Sequence, residues 1–210
     1  ETHKRIHAMA YLSLPVSRLE RPVQTVLIGA GGTGSHLFGA LLALDQALRA
    51  LGHPGGLHVT VYDPDRVTPH NIGRQAFWPA DVGQNKAVTL AQRANLTMGL
   101  DWVAVPQRFP VQHAELARYD LILTAVDQAA VRARIGKAAR TFSRVRHTPI
   151  FWLDTGNSDT QAQIVLGHWR TGGAEDWIPN VFQLYPELAT LDDRAQRTPS
   201  CSAAEALTRQ

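Results

Sequence analysis

The chain has 210 residues, 44% of them apolar, which suits one compact domain with a real core. Its 21 basic and 18 acidic residues give a net charge of +3, too mild an excess to point to nucleic acid by itself. A single Cys excludes a disulfide scaffold and makes a reducing cytosol the expected setting; nothing resembles a signal peptide, and no apolar run approaches the roughly 18 residues of a membrane span.

In chain order, residues 1–22 read as an N-terminal arm, with Tyr11, Leu12, Leu14, Val16 and Leu19 at no clear period. Val23–Ile28 has the character of a buried parallel strand. A helix is expected from Gly34 to about Leu51, since Leu37, Phe38, Leu41, Leu42, Leu44 and Leu48 recur near helical spacing. His53-Pro54-Gly55-Gly56 ends it, and Leu57–Tyr62 forms a second strand. A loop through Pro79 leads to a helix over about Asn85–Met98, then strands at Trp102–Val105 and Tyr119–Val126. A helix from about Gln128 to Arg144, a strand at Ile150–Leu153 and another at Gln161–Leu166 follow. Gly and Pro then punctuate the chain to about Pro199. Strands alternating with helices predict an α/β fold with a doubly wound, mostly parallel sheet. The start at Glu1 and the stop at Gln210, within what reads as a helix, carry the expectation that the chain is cut and continues further.

The first strand runs into Gly29-Ala30-Gly31-Gly32-Thr33-Gly34, and a helix opens directly after it. That order puts backbone N–H groups at a helix N-terminus, where they can hold phosphate, and glycine lets the backbone approach closely. Gly29, Gly31, Gly32 and Gly34 would line this turn, although Gly34 could equally serve close strand–helix packing. Asp63 ends the second strand, where an acid accepts hydrogen bonds from ribose hydroxyls. Asp65, two residues on, could orient Arg74 or contact ligand.

Three further segments, Asp63-Pro64-Asp65-Arg66-Val67, Asn71-Ile72-Gly73-Arg74-Gln75 and Gly83-Gln84-Asn85-Lys86, follow the glycine turn in this order. Together they resemble the ThiF/MoeB and ubiquitin-activating-enzyme superfamily, over about residues 23 to 166. The resemblance implies a Rossmann-like sheet with an antiparallel C-terminal extension, and ATP-dependent adenylation of the C-terminal carboxylate of a ubiquitin-like protein. It divides the chain into the arm, an ATP-binding adenylation domain at 23–170, and a crossover loop with the start of a C-terminal helix at 171–210. Asn71, Arg74 and Lys86 match positions that contact ATP phosphates, and Gln75 would hold Arg74 by a side-chain hydrogen bond. Asp127 would help hold Mg²⁺ on ATP, with capping of the following helix as the alternative role. Arg132 matches a family Arg near the site, yet the run Arg132, Arg134, Lys137, Arg140, Arg144 and Arg146 reads mostly as a solvated helix face.

Cys201 sits at a helix start in Pro199-Ser200-Cys201-Ser202, where a helix dipole favours thiolate. The resemblance allows it to form a thioester after the adenylation core, although a lone Cys can also be inert. The paired cysteines that hold zinc in many relatives are missing, so no structural zinc is expected. The partner implied is a ubiquitin-like protein with a C-terminal Gly tail, in a cytoplasmic homodimer without membrane or nucleic acid. The arm has Lys4, Arg5, Arg18 and Arg21 but no Arg-Tyr-x-Arg-Gln element, which puts a trans-acting arginine in doubt. Within the superfamily the chain most resembles the ThiF-family members of plasmid-borne PRTRC systems. This rests on Trp152-Leu153-Asp154-Thr155-Gly156-Asn157 and on Pro199–Ser202 with Glu205-Ala206-Leu207. Two alternatives stay open: a nicotinamide-dependent oxidoreductase, and a non-catalytic nucleotide-binding scaffold.

Overall fold

Alternating buried side chains on short β-branched segments build a central sheet with an apolar layer on each face. A computed structural model describes residues 20–140, 149–157, 162–169 and 178–189. The elements are β1 (Val23–Ile28), α1 (Gly32–Ala50), β2 (Leu57–Tyr62), α2 (Lys86–Met98), β3 (Val103–Val105), α3 (His113–Leu116), β4 (Leu121–Thr124), α4 (Ala129–Arg140), β5 (Phe151–Asn157), β6 (Ala162–His168) and α5 (Val181–Leu184). The strand order is β3-β2-β1-β4-β5-β6. The first five strands are parallel, and β6 alone runs antiparallel, from Phe151 opposite His168 to Asn157 opposite Ala162. This is the expected doubly wound sheet, its antiparallel extension a single strand among the described residues.

Strand alternation sorts the core. Leu27, Val59, Val61 and Leu123 face Phe38 and Leu41 of α1 and Ala87, Leu90 and Ala94 of α2. On the other face, Val26, Ile28, Ile122 and Trp152 meet Ala133, Ile135 and Ala139 of α4, Leu116 of α3, and Val181 and Phe182 of α5. Strands β1, β2, β4 and β5 are covered on both faces, as their apolar sequence requires, while the edge strand β3 leaves Val103 exposed.

Several boundaries differ from expectation for identifiable reasons. Helix α1 begins at Gly32, and Leu44 is exposed while Asp45 is fully buried. Asp45 accepts Arg49 Nε at 2.8 Å and the Leu57 N–H at 2.7 Å, tying the end of α1 to the start of β2. Strand β4 is shorter than the expected run, and Asp120 just before it turns its carboxylate to Arg21 and to the Gln24 N–H. Arg21 is therefore held within its own chain, at the end of the sheet where β1 and β4 begin. Strand β5 runs on to Asn157 because β6 pairs along its whole length. Helix α4 is described to Arg140, so the expected continuation to Arg144 lies outside the described residues.

Candidate functional site

Where chain order reverses, between β1 and β4, the connections diverge and leave a crevice at the carboxyl ends of the strands. The cleft there has a volume of about 560 Å³. Gly29 leaves β1 with φ +95°, and a Cβ on it would lie 2.6 Å from the Ala125 carbonyl oxygen, so only glycine fits. Gly31 is the N-cap of α1, and no side chain caps that helix end. Its first N–H groups thus remain available to an anion, and nothing lies within 4 Å of where a Gly31 Cβ would stand. Gly29, Gly31 and Gly32 line the cleft. Gly34 does not: a Cβ there would fall 2.0 Å from the Gly29 oxygen, so its place is in helix–turn packing.

Asp63 is buried at the end of β2 and accepts the Ala30 N–H at 2.6 Å and the Asp65 N–H at 2.8 Å. Burial pushes its carboxyl above the usual carboxylate range, while those two amides and Lys86 pull the other way. Asn85 caps α2 by accepting the Val88 N–H, and its amide donates to the carbonyls of Asp63 and Asp65. Lys86, the first residue of α2, is thereby fixed over the end of β2 and is buried. Its Nζ lies 3.7 Å from Asp65 Oδ2. Asp65 faces Lys86, and not Arg74 as one of its expected roles required.

The loop carrying Asn71, Arg74 and Gln75 docks on the first turn of α1. The Ser35 hydroxyl accepts the Ala76 N–H at 3.0 Å and donates to the Gly32 carbonyl at 3.1 Å. His36 Nε2 lies 3.3 Å from the Arg74 carbonyl oxygen. Asn71 is buried, and its Oδ1 accepts the Thr68 N–H and hydroxyl, which closes the 3₁₀ turn Pro69–Asn71. Arg74 is exposed and donates Nε to the His70 carbonyl at 2.9 Å. No hydrogen bond joins Gln75 to Arg74, a correction to the expected brace. Instead, Gln75 lines the cleft with a buried Oε1 that has no partner. A buried unpaired amide is costly unless a ligand satisfies it.

Asp127 follows β4 at the cleft's rim, exposed and, among the described residues, without a hydrogen bond. Helix α4 starts at Ala129, which puts Gln128 in the N-cap position, so the capping alternative for Asp127 is not what forms. Arg132, expected on a solvated face, is buried. Its Nε lies 2.9 and 3.0 Å from the two carboxylate oxygens of Asp154, and its Nη2 donates to the carbonyls of Val126 at 2.5 Å and Thr155 at 2.8 Å. Thr124 Oγ1 donates to the same carboxylate and accepts Trp152 Nε1. Arg134 and Lys137 are exposed as expected, while the side chains of Arg140, Arg144 and Arg146 lie outside the described residues.

Sequence reasoning missed the apolar wall of the cleft, made by Tyr62, Phe109, Val111, Val126 and Val131. Phe109 meets Tyr62 edge to face at 4.9 Å, and Glu115 accepts both the Tyr62 and Tyr119 hydroxyls. No period or motif marks Phe109, which sits in a loop. Cys201 and the stretch 190–200 lie outside the described residues.

The site thus combines a glycine turn at an uncapped helix N-terminus, the cations Arg74, Lys86, Arg108 and Arg134, a buried acid after β2 and an apolar slot. That donor set fits a nucleoside triphosphate. Among the described residues no group of three or more His, Cys, Asp or Glu side chains could hold a metal alone. Asp127 stands singly, as suits a cation held chiefly by phosphate oxygens and water.

The ThiF family model matches residues 16–208. The ATP-dependent ubiquitin transferase-like protein Cap2 of Vibrio cholerae is 27% identical over 142 residues, covering 66% of this chain and 23% of that protein. Cap2 of Pseudomonas aeruginosa is 25% identical over an alignment of 244 residues, covering 92% of this chain and 43% of that protein. The chain therefore spans less than half the length of these curated relatives. The crystal structure of E. coli MccB with succinimide superposes with a TM-score of 0.51 at 18% identity, covering 72% of this chain and 42% of that one. At that identity the likeness is one of fold.

Proposed function

The chain belongs to the ThiF family, and on that premise we propose that it adenylates the C-terminal carboxylate of a ubiquitin-like protein at the expense of ATP. The observation that carries this is that Arg74, Lys86, the buried Asp63 and an uncapped helix N-terminus all line one cleft. A dinucleotide oxidoreductase needs the glycine turn and the acid. It has no use for this second set of cations, which suits a triphosphate and the charge that develops at its α-phosphorus.

In the proposed reaction a tail ending in Gly presents its carboxylate to the α-phosphorus. The new carboxylate O–P bond forms as the bond to the bridging oxygen breaks, and the electron pair departs on pyrophosphate. No proton need be removed from the nucleophile, so positioning and charge stabilisation carry the catalysis. Asp63 accepts the ribose hydroxyls, Gly29, Gly31 and Gly32 admit the phosphates, and Asn71 and Gln75 bind around them. Arg74 and Lys86 neutralise the phosphates. Asp127 is the ligand for Mg²⁺, which supplies charge neutralisation at the phosphates. The apolar slot of Phe109, Val111, Val126 and Val131 takes the base.

Four finer features belong to the same proposal. The enzyme acts as a homodimer, Cys201 receives the activated tail as a thioester, and the stretch 171–200 covers the tail. Kinship with PRTRC-system members rests on the Trp152–Asn157 segment and the Pro199–Ser202 motif, and implies a small ubiquitin-like partner encoded nearby. Cap2 is named a ubiquitin transferase-like protein, which agrees with that class of partner. The test is the intact mass of such a partner after incubation with the full-length protein and ATP. An increase by one AMP residue, discharged by hydroxylamine, is expected. An unchanged partner, with ATP still raising the melting temperature, would leave a nucleotide-binding scaffold. Stabilisation by NAD instead of ATP would favour the oxidoreductase.

A further inference from the structure

The Asp127 carboxylate has nothing to hold it except its backbone, since among the described residues it makes no hydrogen bond. Two contacts fix that backbone. The Ala125 N–H donates to the Ile28 carbonyl at 2.9 Å, and the Val126 carbonyl accepts Arg132 Nη2 at 2.5 Å. Strands β4 and β5 stay in register as far as Thr124 opposite Asp154 and then part, β4 turning into α4 while β5 runs on to Asn157. Arg132 reaches back from α4 into that fork. One nitrogen, Nη2, spans the carbonyls of Val126 and Thr155, and Nε lies on the Asp154 carboxylate. Asp154 is fully buried and accepts the Thr124 hydroxyl, whose oxygen in turn accepts Trp152 Nε1. The guanidinium is rigid and planar, so its three contacts are made together or not at all.

We propose that Arg132, clamped by Asp154, is a positioning residue that sets the Val126–Asp127 turn and so aims the Asp127 carboxylate at the metal bound with the nucleotide. This rests on the functional reading above. Lysine at 132 could keep the charge in the fork, but its single nitrogen could not reproduce the planar group that puts Nε on Asp154 and Nη2 on both carbonyls at once. Outer partners of metal ligands typically change metal affinity 10–100-fold when altered. Arg132→Lys is therefore expected to leave nucleotide binding without metal unchanged while raising the Mg²⁺ needed for half-maximal tightening by about tenfold.

The experiment is calorimetric titration of a non-hydrolysable ATP analogue into the full chain across a Mg²⁺ series. Amide hydrogen exchange of the metal-free protein accompanies it. Exchange at Asp127 and Gln128 should quicken in Arg132→Lys while that of β1 stays as in wild type. Should Arg132→Lys fold poorly, the double variant Arg132→Met/Asp154→Leu removes the buried pair without stranding a charge, and the same Mg²⁺ shift is expected. A Mg²⁺ requirement equal to wild type would overturn the proposal. So would an equal loss of binding with and without metal, which marks a merely structural residue. If wild type itself gains nothing from Mg²⁺, the functional reading fails, and this inference with it.

Discussion

One wall of the cleft is built from β1, α1 and the β2–α2 connection, the other from β4, α4 and β5, and they hold their functional groups by different means. On the first wall Arg74 and Asp65 are exposed, and short local devices place the chain: the positive-φ Gly29, the Asn85 cap and the Asn71 turn. On the second wall Asp127 makes no hydrogen bond among the described residues, and what places it is a buried ion pair between residues 22 positions apart, Arg132 and Asp154. A group positioned by local backbone chemistry can be lost without unfolding the protein. A group positioned by a buried charge pair is tied to the stability of the fold.

That contrast predicts opposite responses to mutation. The largest expected effect is Asp154→Ala, which leaves the Arg132 charge buried and unpaired and should cost about 3–5 kcal/mol in urea unfolding. A loss below about 1 kcal/mol would place the two walls on the same footing. Lys86 pairs loosely with the exposed Asp65, at 3.7 Å, and acts on Asp63 through its charge alone, so Lys86→Ala should change stability by about 1 kcal/mol or less. Its adenylation rate should nevertheless fall by a factor on the order of 10²–10³, as when a transition-state donor is lost. A stable but active variant would remove Lys86 from the site.

The glycines sharpen the comparison within the first wall. Gly34→Ala drives a methyl against the Gly29 carbonyl and should destabilise by about 1–3 kcal/mol in thermal or urea unfolding. Gly31→Ala meets open space, so stability should hold while the added methyl intrudes on the phosphate cradle and weakens ATP binding by calorimetry. Equal stability losses would contradict this division between packing and binding.

The smallest effect lies beyond both walls. Burial holds the His168 ring below its ordinary value of 6.5, and its Nδ1 accepts the Ile178 N–H, which needs an unprotonated nitrogen. The folded protein thus binds fewer protons than the unfolded chain. Its contribution is present above pH 6.5 and is lost as pH falls through the lowered folded value. His168→Gln, which can still accept that N–H, should flatten the decline of melting temperature with acidification below pH 6.5. An unchanged decline would assign it to other groups.

How much was legible follows the same division. The first strands and helices, the sheet class and the glycine turn are visible in sequence because each depends on neighbours in the chain. Helix α2 and its cap lie within one short stretch, and the structure keeps them near the expected bounds. Asp45, Asp154 and Arg132 were not legible as buried groups. Their burial is compensated by partners distant in sequence or hidden in a strand, and a charged residue on a helix is ordinarily solvent-facing. Leu44 misled in the converse way, since an apolar residue at helical spacing need not face the core. The apolar slot had no signal, because Phe109 and Val111 come from a loop and acquire their meaning only beside Val126 and Val131.

The most direct test of the central claim is ATP–pyrophosphate exchange by the full-length protein with a ubiquitin-like partner ending in Gly, measured for wild type and Lys86→Ala. Label should pass from pyrophosphate into ATP only when the partner is present, and the variant should lose that exchange while remaining folded. Exchange that proceeds equally in Lys86→Ala, or the lack of any exchange across ubiquitin-like partners while ATP still binds, would contradict adenylation at this cleft.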